Sequence, residues 1–408
     1  MARATALVIQ IGDRVPRAQA KMRILHVTQT YHPFLERGGP TVKVRSIAEG
    51  LVQRGHHCTV LTSWYGRPYT TRQTVMNGVD VVYLRPLKTY RAMTLNAGLL
   101  AFCRKELRQY DLIHIYGLYD LLGPAVAHYA SRAKIPYVLE PLGMVRPIDR
   151  ALRLKRLWHQ MLGKPLIRHA ARMIATSQQE EGEFLGDGLP RKQIALRYNG
   201  VDLNEFATLP PRGAFRSEWT IPPDEPVVLF ISRVIPRKGV DLLISAFAEA
   251  CPERGRLVIA GPEGEVGYVA QLRELARSKG VEPRTIFTGP LYGDQKKAAL
   301  VDCDLFALPS RYENFANSVA EAIACGRPVI ISDRCGISEF VTNQVGLVIP
   351  REVPAIAAAL RLLLTDHALY QGFQAACPRV AGQLSWNELL AVQEEIYGQV
   401  IGKHDEPH

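Results

Sequence analysis

No run of about 18 or more apolar residues occurs in the sequence, so a membrane-crossing helix is not indicated. Cysteine is scarce: Cys58, Cys103, Cys251, Cys303, Cys325, Cys335 and Cys377 are all there is. Their number is odd and none form a C-x-x-C pair, which argues against a zinc ribbon or a disulfide framework and for a reducing cytoplasm. There is no G-x-x-x-x-G-K-S/T, so no P-loop, and no G-x-G-x-x-G, which counts against a dinucleotide dehydrogenase. Internal repeats and low-complexity tracts are also missing. The opening "MARATALVIQIGDRVPRAQA" lacks a signal-peptide core and cleavage site. Residues 1–21 read as a disordered extension, or as an upstream start before Met22.

What is present fits a globular protein, with 22% charged and 47% hydrophobic residues. The length of 408 residues suits two domains, each with its own core. The net charge of +11 is uneven: about +17 falls in residues 1–200 and about −6 in the rest. The first half is therefore expected to meet something anionic.

Short apolar strands alternate with helical periods along the whole chain. Strands are expected at Arg23–Gln29, Cys58–Ser63, Asp80–Arg85, Asp111–Gly117, Tyr137–Gly143, Arg172–Ser177 and Ile194–Gly200. A second set follows at Val227–Arg233, Arg256–Gly261, Thr285–Pro290, Asp304–Ser310, Pro328–Asp333 and Gly346–Pro350. Near-continuous apolar strands belong to parallel sheets covered on both faces. Val44, Ile47, Ala48 and Leu51 keep helical spacing, as do Val240, Leu243, Ile244 and Phe247. The expected fold is α/β, with two doubly wound Rossmann-like domains facing a deep cleft. Residues 22–205 are expected to form one domain, 206–226 a proline-rich linker and 227–383 a second domain. Residues 384–408 hold a closing helix able to cross back to the first domain.

Ligands bind beyond the carboxyl ends of parallel strands. After the first strand, Gly38 and Gly39 precede a helix whose N-terminus suits phosphate; an ordinary glycine-containing turn reads the same way. After the first strand of the second half come Arg233 and Lys238, either a diphosphate clamp or a solvated basic turn. In "RYENFANSVAEAIACGRPVI", Glu313 lies in a loop above the sheet, and a helix is expected from Asn317 or Ser318 to Gly326. Glu321 fits a capping box with Ser318. Glu313 has no such structural role.

These residues carry a resemblance. "E-x7-E" followed by "G-x-P-V", with "R-x4-K-G" upstream, resembles the family-4 retaining glycosyltransferases of GT-B fold. So do "GGP" (Gly38–Pro40), "RGHHCTVLTS", "DLIHIYG", "RMIATSQQE", "YNGVDLNEF", "FTGPL" and "CGISEFV". The resemblance implies a hexosyltransferase type of enzyme with a nucleotide-diphosphate sugar donor and no metal or other cofactor. Arg233 and Lys238 would grip the diphosphate. Glu313, with the backbone of Phe315, Ala316 and Asn317, would hold sugar and phosphate, and Glu321 the ribose. Catalysis would rest on Glu313, Arg233 and Lys238. Gly38 and Gly39 would approach the phosphate from the other domain. The acceptor would be a lipid-linked oligosaccharide or polysaccharide precursor. Rival readings are a small soluble acceptor, or a non-catalytic nucleotide-sugar-binding subunit.

One departure stands out: where many relatives carry a histidine after the fifth strand, this chain reads "EPLGM", with Leu142 at that place. Glu140 or His114 takes over an orienting role, or the role is absent; a buried packed histidine is the commoner state for His114. Asp302-Cys303-Asp304 matches a metal-binding D-x-D, but Asp304 opens a strand at its amino end, away from the cleft, so no metal is expected.

Arg146–Met173 holds eight Lys or Arg against one acid. Leu152, Leu154, Leu157, Trp158, Met161 and Leu162 interleave with them. Such a helix suits an anionic bilayer, placing the protein in the cytoplasm at the inner face of the plasma membrane. Alternatively, the apolar residues face the core. No nucleic-acid motif accompanies the basic residues.

Overall fold

A computed structural model describes residues 21–34, 39–66, 73–90, 93–145, 152–251 and 253–404. The expected N-terminal extension, apart from Lys21, and Gly38 lie outside these.

The first sheet contains β1 (Arg23–Val27), β2 (His57–Ser63), β3 (Gln73–Met76), β4 (Val79–Leu84), β7 (Leu112–Tyr116), β8 (Tyr137–Glu140), β9 (Arg172–Ala175) and β10 (Ile194–Leu196). Their order is β10-β9-β8-β7-β1-β2-β4-β3, parallel except for the β3–β4 pair. A separate hairpin joins β5 (Pro86–Tyr90) and β6 (Met93–Asn96). The second sheet contains β11 (Val227–Ile231), β12 (Arg256–Ala260), β13 (Thr285–Gly289), β14 (Leu305–Leu308), β15 (Val329–Ser332) and β16 (Gly346–Ile349). It is wholly parallel, in the order β13-β12-β11-β14-β15-β16.

Strands buried from end to end explain why the sequence reads as apolar runs: β7, β8, β11 and β14 have no exposed residue. β3, β5 and β6 do not follow that rule. β3 is a four-residue edge strand alternating exposed with half-buried positions, and it was not among the expected strands.

The segment expected to be only a linker, 206–226, carries the helix Ala214–Glu218. Its two Pro-Pro pairs flank that helix rather than preventing it. Phe206, Phe215 and Ile221 join the core of the second sheet. Arg216 fixes the segment: its side chain donates to the carbonyls of Asp302, Pro222 and Glu225 and to Asp304 Oδ2.

The closing helix Trp386–His404 packs against the first sheet. Trp386, Leu389, Leu390, Tyr397 and Val400 complete a core with β1, β2 and the helix Gly39–Gln53. The chain therefore crosses between the domains twice. The crossings lie side by side: Val201 donates to Leu384 at 2.8 Å, and Trp386 donates back to Val201 at 3.3 Å. No single described helix is long and apolar enough to cross a membrane.

Candidate active site

Strand order reverses between β1 and β7 in one sheet and between β11 and β14 in the other. Ligands in open α/β sheets bind in the crevice at such switch points. The expected site residues sit there: Gly39 follows β1, Arg233 and Lys238 follow β11, and Glu313 follows β14.

Lys238 closes a single 3-10 turn, Pro236–Lys238, and is largely buried. Gly239 behind it takes φ 73°, and a Cβ there would lie 2.2 Å from the Pro309 carbonyl oxygen. Only glycine satisfies both conditions, and that explains the Lys-Gly pair. The turn directs Lys238 Nζ onto Glu313 Oε1, joining cation and carboxylate across the switch point. Arg233 stands exposed at the rim, with no ion pair to any described residue.

The Glu313 loop is pinned by its backbone. Glu313 N–H donates to Arg334 at 2.9 Å, and its carbonyl accepts from Gly336 at 3.0 Å. Phe315 is buried in the core of the second sheet, so its ring does not face the cleft. The helix begins at Asn317 and ends at Ala324. Its N-cap is Ala316, left-handed at φ 84°, with no side-chain cap bond. The expected capping box between Ser318 and Glu321 is therefore not formed. Entering the helix through a left-handed residue places Ser318 inside the first turn, where it cannot act as cap. Glu321 instead accepts from Lys296 Nζ at 2.8 Å. The uncapped amides leave a partially positive helix end beside Glu313, open to an anion.

The first domain meets this loop directly. A Cβ on Gly39 would lie 3.1 Å from Asn317 Nδ2, and Asn199 Nδ2 lies 3.2 Å from Asn317 Oδ1. Asn314 Nδ2 donates to the Thr176 hydroxyl at 2.7 Å, and the Tyr312 hydroxyl donates to Glu183 at 3.0 Å. Nearby, Tyr198 and Gln178 both donate to Glu339, at 2.7 and 2.8 Å.

Glu140 is fully buried, bound to Lys43 and Arg197, and does not reach the cleft. Burial pushes Lys43 down, which Glu140 partly offsets. His114 is likewise fully buried and is held well below its usual range by burial, hence neutral. Its Nε2 lies 3.7 Å from Glu140, a packing contact and not an ion pair, while its Nδ1 lies 2.6 Å from the Tyr397 hydroxyl. Neither residue stands where a substrate would touch it. Leu142 takes a left-handed φ of 59°, an uncommon state for a bulky side chain. Lys43 and Arg197 were not among the expected site residues. Each sits in an otherwise ordinary helix or strand end, and only the fold brings them to Glu140.

Asp302 and Asp304 serve the fold. Asp302 accepts the backbone N–H groups of Gly213 and Arg216, and Asp304 accepts Val227 N–H and Arg216. Beyond the ends of β12 and β13, a cavity of about 240 Å³ is lined by Val234, Gly261, Glu263, Arg273, Phe287 and Gly289, among others.

Two Rossmann-like α/β sheets, each with its strand order reversing at the shared cleft, are the architecture of the GT-B class of transferase. Residues 211–377 match the family described as Glycosyl transferases group 1, and residues 38–200 match the Glycosyl transferase 4-like domain. The chain belongs to this family of retaining, nucleotide-sugar-dependent GT4 glycosyltransferases. A D-inositol 3-phosphate glycosyltransferase of Xylanimonas cellulosilytica is 29% identical over 95% of this chain and 98% of that protein. A GDP-mannose-dependent alpha-mannosyltransferase of Mycobacterium tuberculosis is 27% identical over 81% of this chain and 84% of its own length. Among solved structures, Anabaena Alr3699/HepE in complex with UDP and glucose superposes with a TM-score of 0.74 at 22% identity, covering 93% of this chain and 100% of that one.

Proposed function

We propose that the enzyme moves a sugar from a nucleotide diphosphate to a lipid-linked oligosaccharide or polysaccharide precursor, at the anionic inner face of the plasma membrane. Lys238 and Arg233 stabilise charge on the departing diphosphate, together with the uncapped amides of Ala316 and Asn317. Glu313 orients the sugar, Glu321 the ribose, and Gly38 and Gly39 bring backbone to the phosphate. Among the described residues of the site, no carboxylate other than those given binding roles here is available as a covalent nucleophile. The retained configuration then follows from front-face attack, with the leaving phosphate accepting the acceptor's proton. By this reading residues 22–205 serve the acceptor and 227–383 the donor.

One observation supports the membrane acceptor. Leu157 and Met161, four residues apart, are 52% and 65% exposed, and Arg153 and Arg156 beside them are exposed too. Apolar side chains left in water among cations suit an anionic lipid surface. Leu152 and Leu154, part of the same expected stripe, have side chains outside the described residues. Trp158 does not join the exposed face, since its indole donates to the Leu118 carbonyl at 2.8 Å.

Sedimentation with vesicles tests this. Binding to anionic vesicles at low salt, released as salt rises and weakened by Arg153→Glu, Lys155→Glu and Arg156→Glu together, is expected. Equal binding to neutral and anionic vesicles, or none to either, overturns the membrane acceptor. A small acceptor, of the kind named for the inositol phosphate relatives, then takes its place.

A further inference from the structure

Four loops of the first domain receive two asparagines of the second. Asn317 sits against Gly39 and Asn199, and Asn314 sits against Gly143 and Thr176. All four loops are tied from below by two buried carboxylates. Glu140 binds Lys43, one turn into the helix that Gly39 opens, and Arg197, two residues before Asn199. Glu180 accepts Gly143 N–H at 2.9 Å and the Thr176 N–H and hydroxyl at 2.8 and 3.0 Å. The Thr176 hydroxyl thus passes Glu180's hold directly to Asn314. The two carboxylates are fully buried, and Lys43 and Arg197 nearly so. Lys43 and Arg197 both pair with Glu140, so removing either partner leaves a buried charge less compensated, whereas Glu180 holds its loops through hydrogen bonds to neutral groups.

We propose that Glu140 and Glu180 are positioning residues: they hold the four loops in the one arrangement that seats Asn314 and Asn317. They thereby set the Glu313–Asn317 loop from the opposite domain. Neither carboxylate meets the cleft, so both act through the groups they bind. The functional meaning rests on reading that loop as the donor site; the physical claim does not.

The measurement is amide hydrogen exchange on the full chain without ligand, comparing Glu140→Gln, Glu180→Gln, Lys43→Met and Lys43→Arg. Residues 312–318 contain none of the replaced groups. Their exchange is expected to quicken about tenfold or more in the first three variants, while β11 and β14 keep their protection. Lys43→Arg keeps the charge and is expected to return exchange to within about twofold of the parent. If quickening stays inside the first domain, the carboxylates serve only their own domain and the proposal is overturned. It is overturned equally if Lys43→Arg behaves like Lys43→Met. Should Glu140→Gln fail to fold, Lys43→Met carries the test, because Met keeps the aliphatic stem and Glu140 keeps Arg197. No donor is needed, so failure here leaves the donor reading standing, and failure of donor binding leaves this result readable.

Discussion

Lys238 Nζ is bonded to Glu313 Oε1, joining the turn after β11 to the loop after β14. In the free protein the Lys238 cation and the Glu313 carboxylate neutralise each other. In the donor site proposed above, the phosphates would lie beside Lys238 and the sugar hydroxyls beside Glu313, so one ligand would replace the pair with contacts to both.

Separating those halves gives the first prediction. Glu313→Gln removes a group whose contact matters most as the sugar moves, so kcat should fall about 10- to 100-fold, as for loss of a charged hydrogen bond. Affinity for the nucleoside diphosphate alone should hold. Glu321→Gln should weaken that affinity and spare turnover at saturating donor. Because Glu321 pairs with Lys296 and both are only partly buried, its stability cost should be at most about 1 kcal/mol, read by unliganded melting. Full turnover by Glu313→Gln would contradict the assignment.

Lys238→Met tests the cation. If Lys238 stabilises the leaving diphosphate, kcat should drop about 10²- to 10³-fold, with a smaller loss of donor affinity. Gly239→Ala should mimic it indirectly. The new Cβ would lie 2.2 Å from the Pro309 oxygen at a φ of 73°, so the turn carrying Lys238 must shift. Steady-state kinetics on both variants would show whether displacing the turn costs as much as removing its charge. Unchanged kinetics in Gly239→Ala would mean the turn does not place Lys238.

The main strands were legible because each is a buried apolar run between polar loops. The R-x4-K-G and E-x7-E spacings fall beyond β11 and β14, with Lys238 in the turn after β11, Glu313 in the loop after β14 and Glu321 inside the helix that follows. β3, β5 and β6 were not legible, being short and lying at an edge or outside the main sheets. The Glu140 cluster was hidden for another reason. Lys43 and Glu140 are 97 residues apart, and no local pattern announces a buried pair. Ser318 misled because its spacing to Glu321 is that of a capping box. The left-handed Ala316, which decides where the helix starts, is an unexpected residue for that conformation.

Ala316 itself is open to test. A left-handed alanine costs about 1–2 kcal/mol, and glycine would relieve that while adding about 0.5–1 kcal/mol of unfolded-chain freedom. Ala316→Gly should therefore melt at the same temperature or slightly higher. Ala316→Val should lose about 1–3 kcal/mol or more, since a β-branched residue fits this conformation poorly. Thermal unfolding of both decides it. Clear destabilisation by Gly would show that the Ala316 methyl contributes packing that outweighs its strain.

The closing helix makes the first domain depend on the end of the chain. Leu390 is buried, and Gly50 faces it so closely that a Cβ at residue 50 would lie 2.3 Å from Leu390 Cδ1. Glu394 adds bonds to Arg54 and His56, both at 2.9 Å. Leu390→Ala should cost about 2–5 kcal/mol, the usual range for a buried Leu→Ala. Gly50→Ala should also destabilise, by pushing the helix away. Ending the chain at Ser385 removes Trp386, Leu389, Leu390, Tyr397 and Val400 from that core together. Calorimetry should then show the cooperative transition of the first domain lost and that of the second retained. Residues 22–205 expressed alone should fail to fold for the same reason. If the shortened chain instead keeps both transitions, the helix merely covers a core that is already complete.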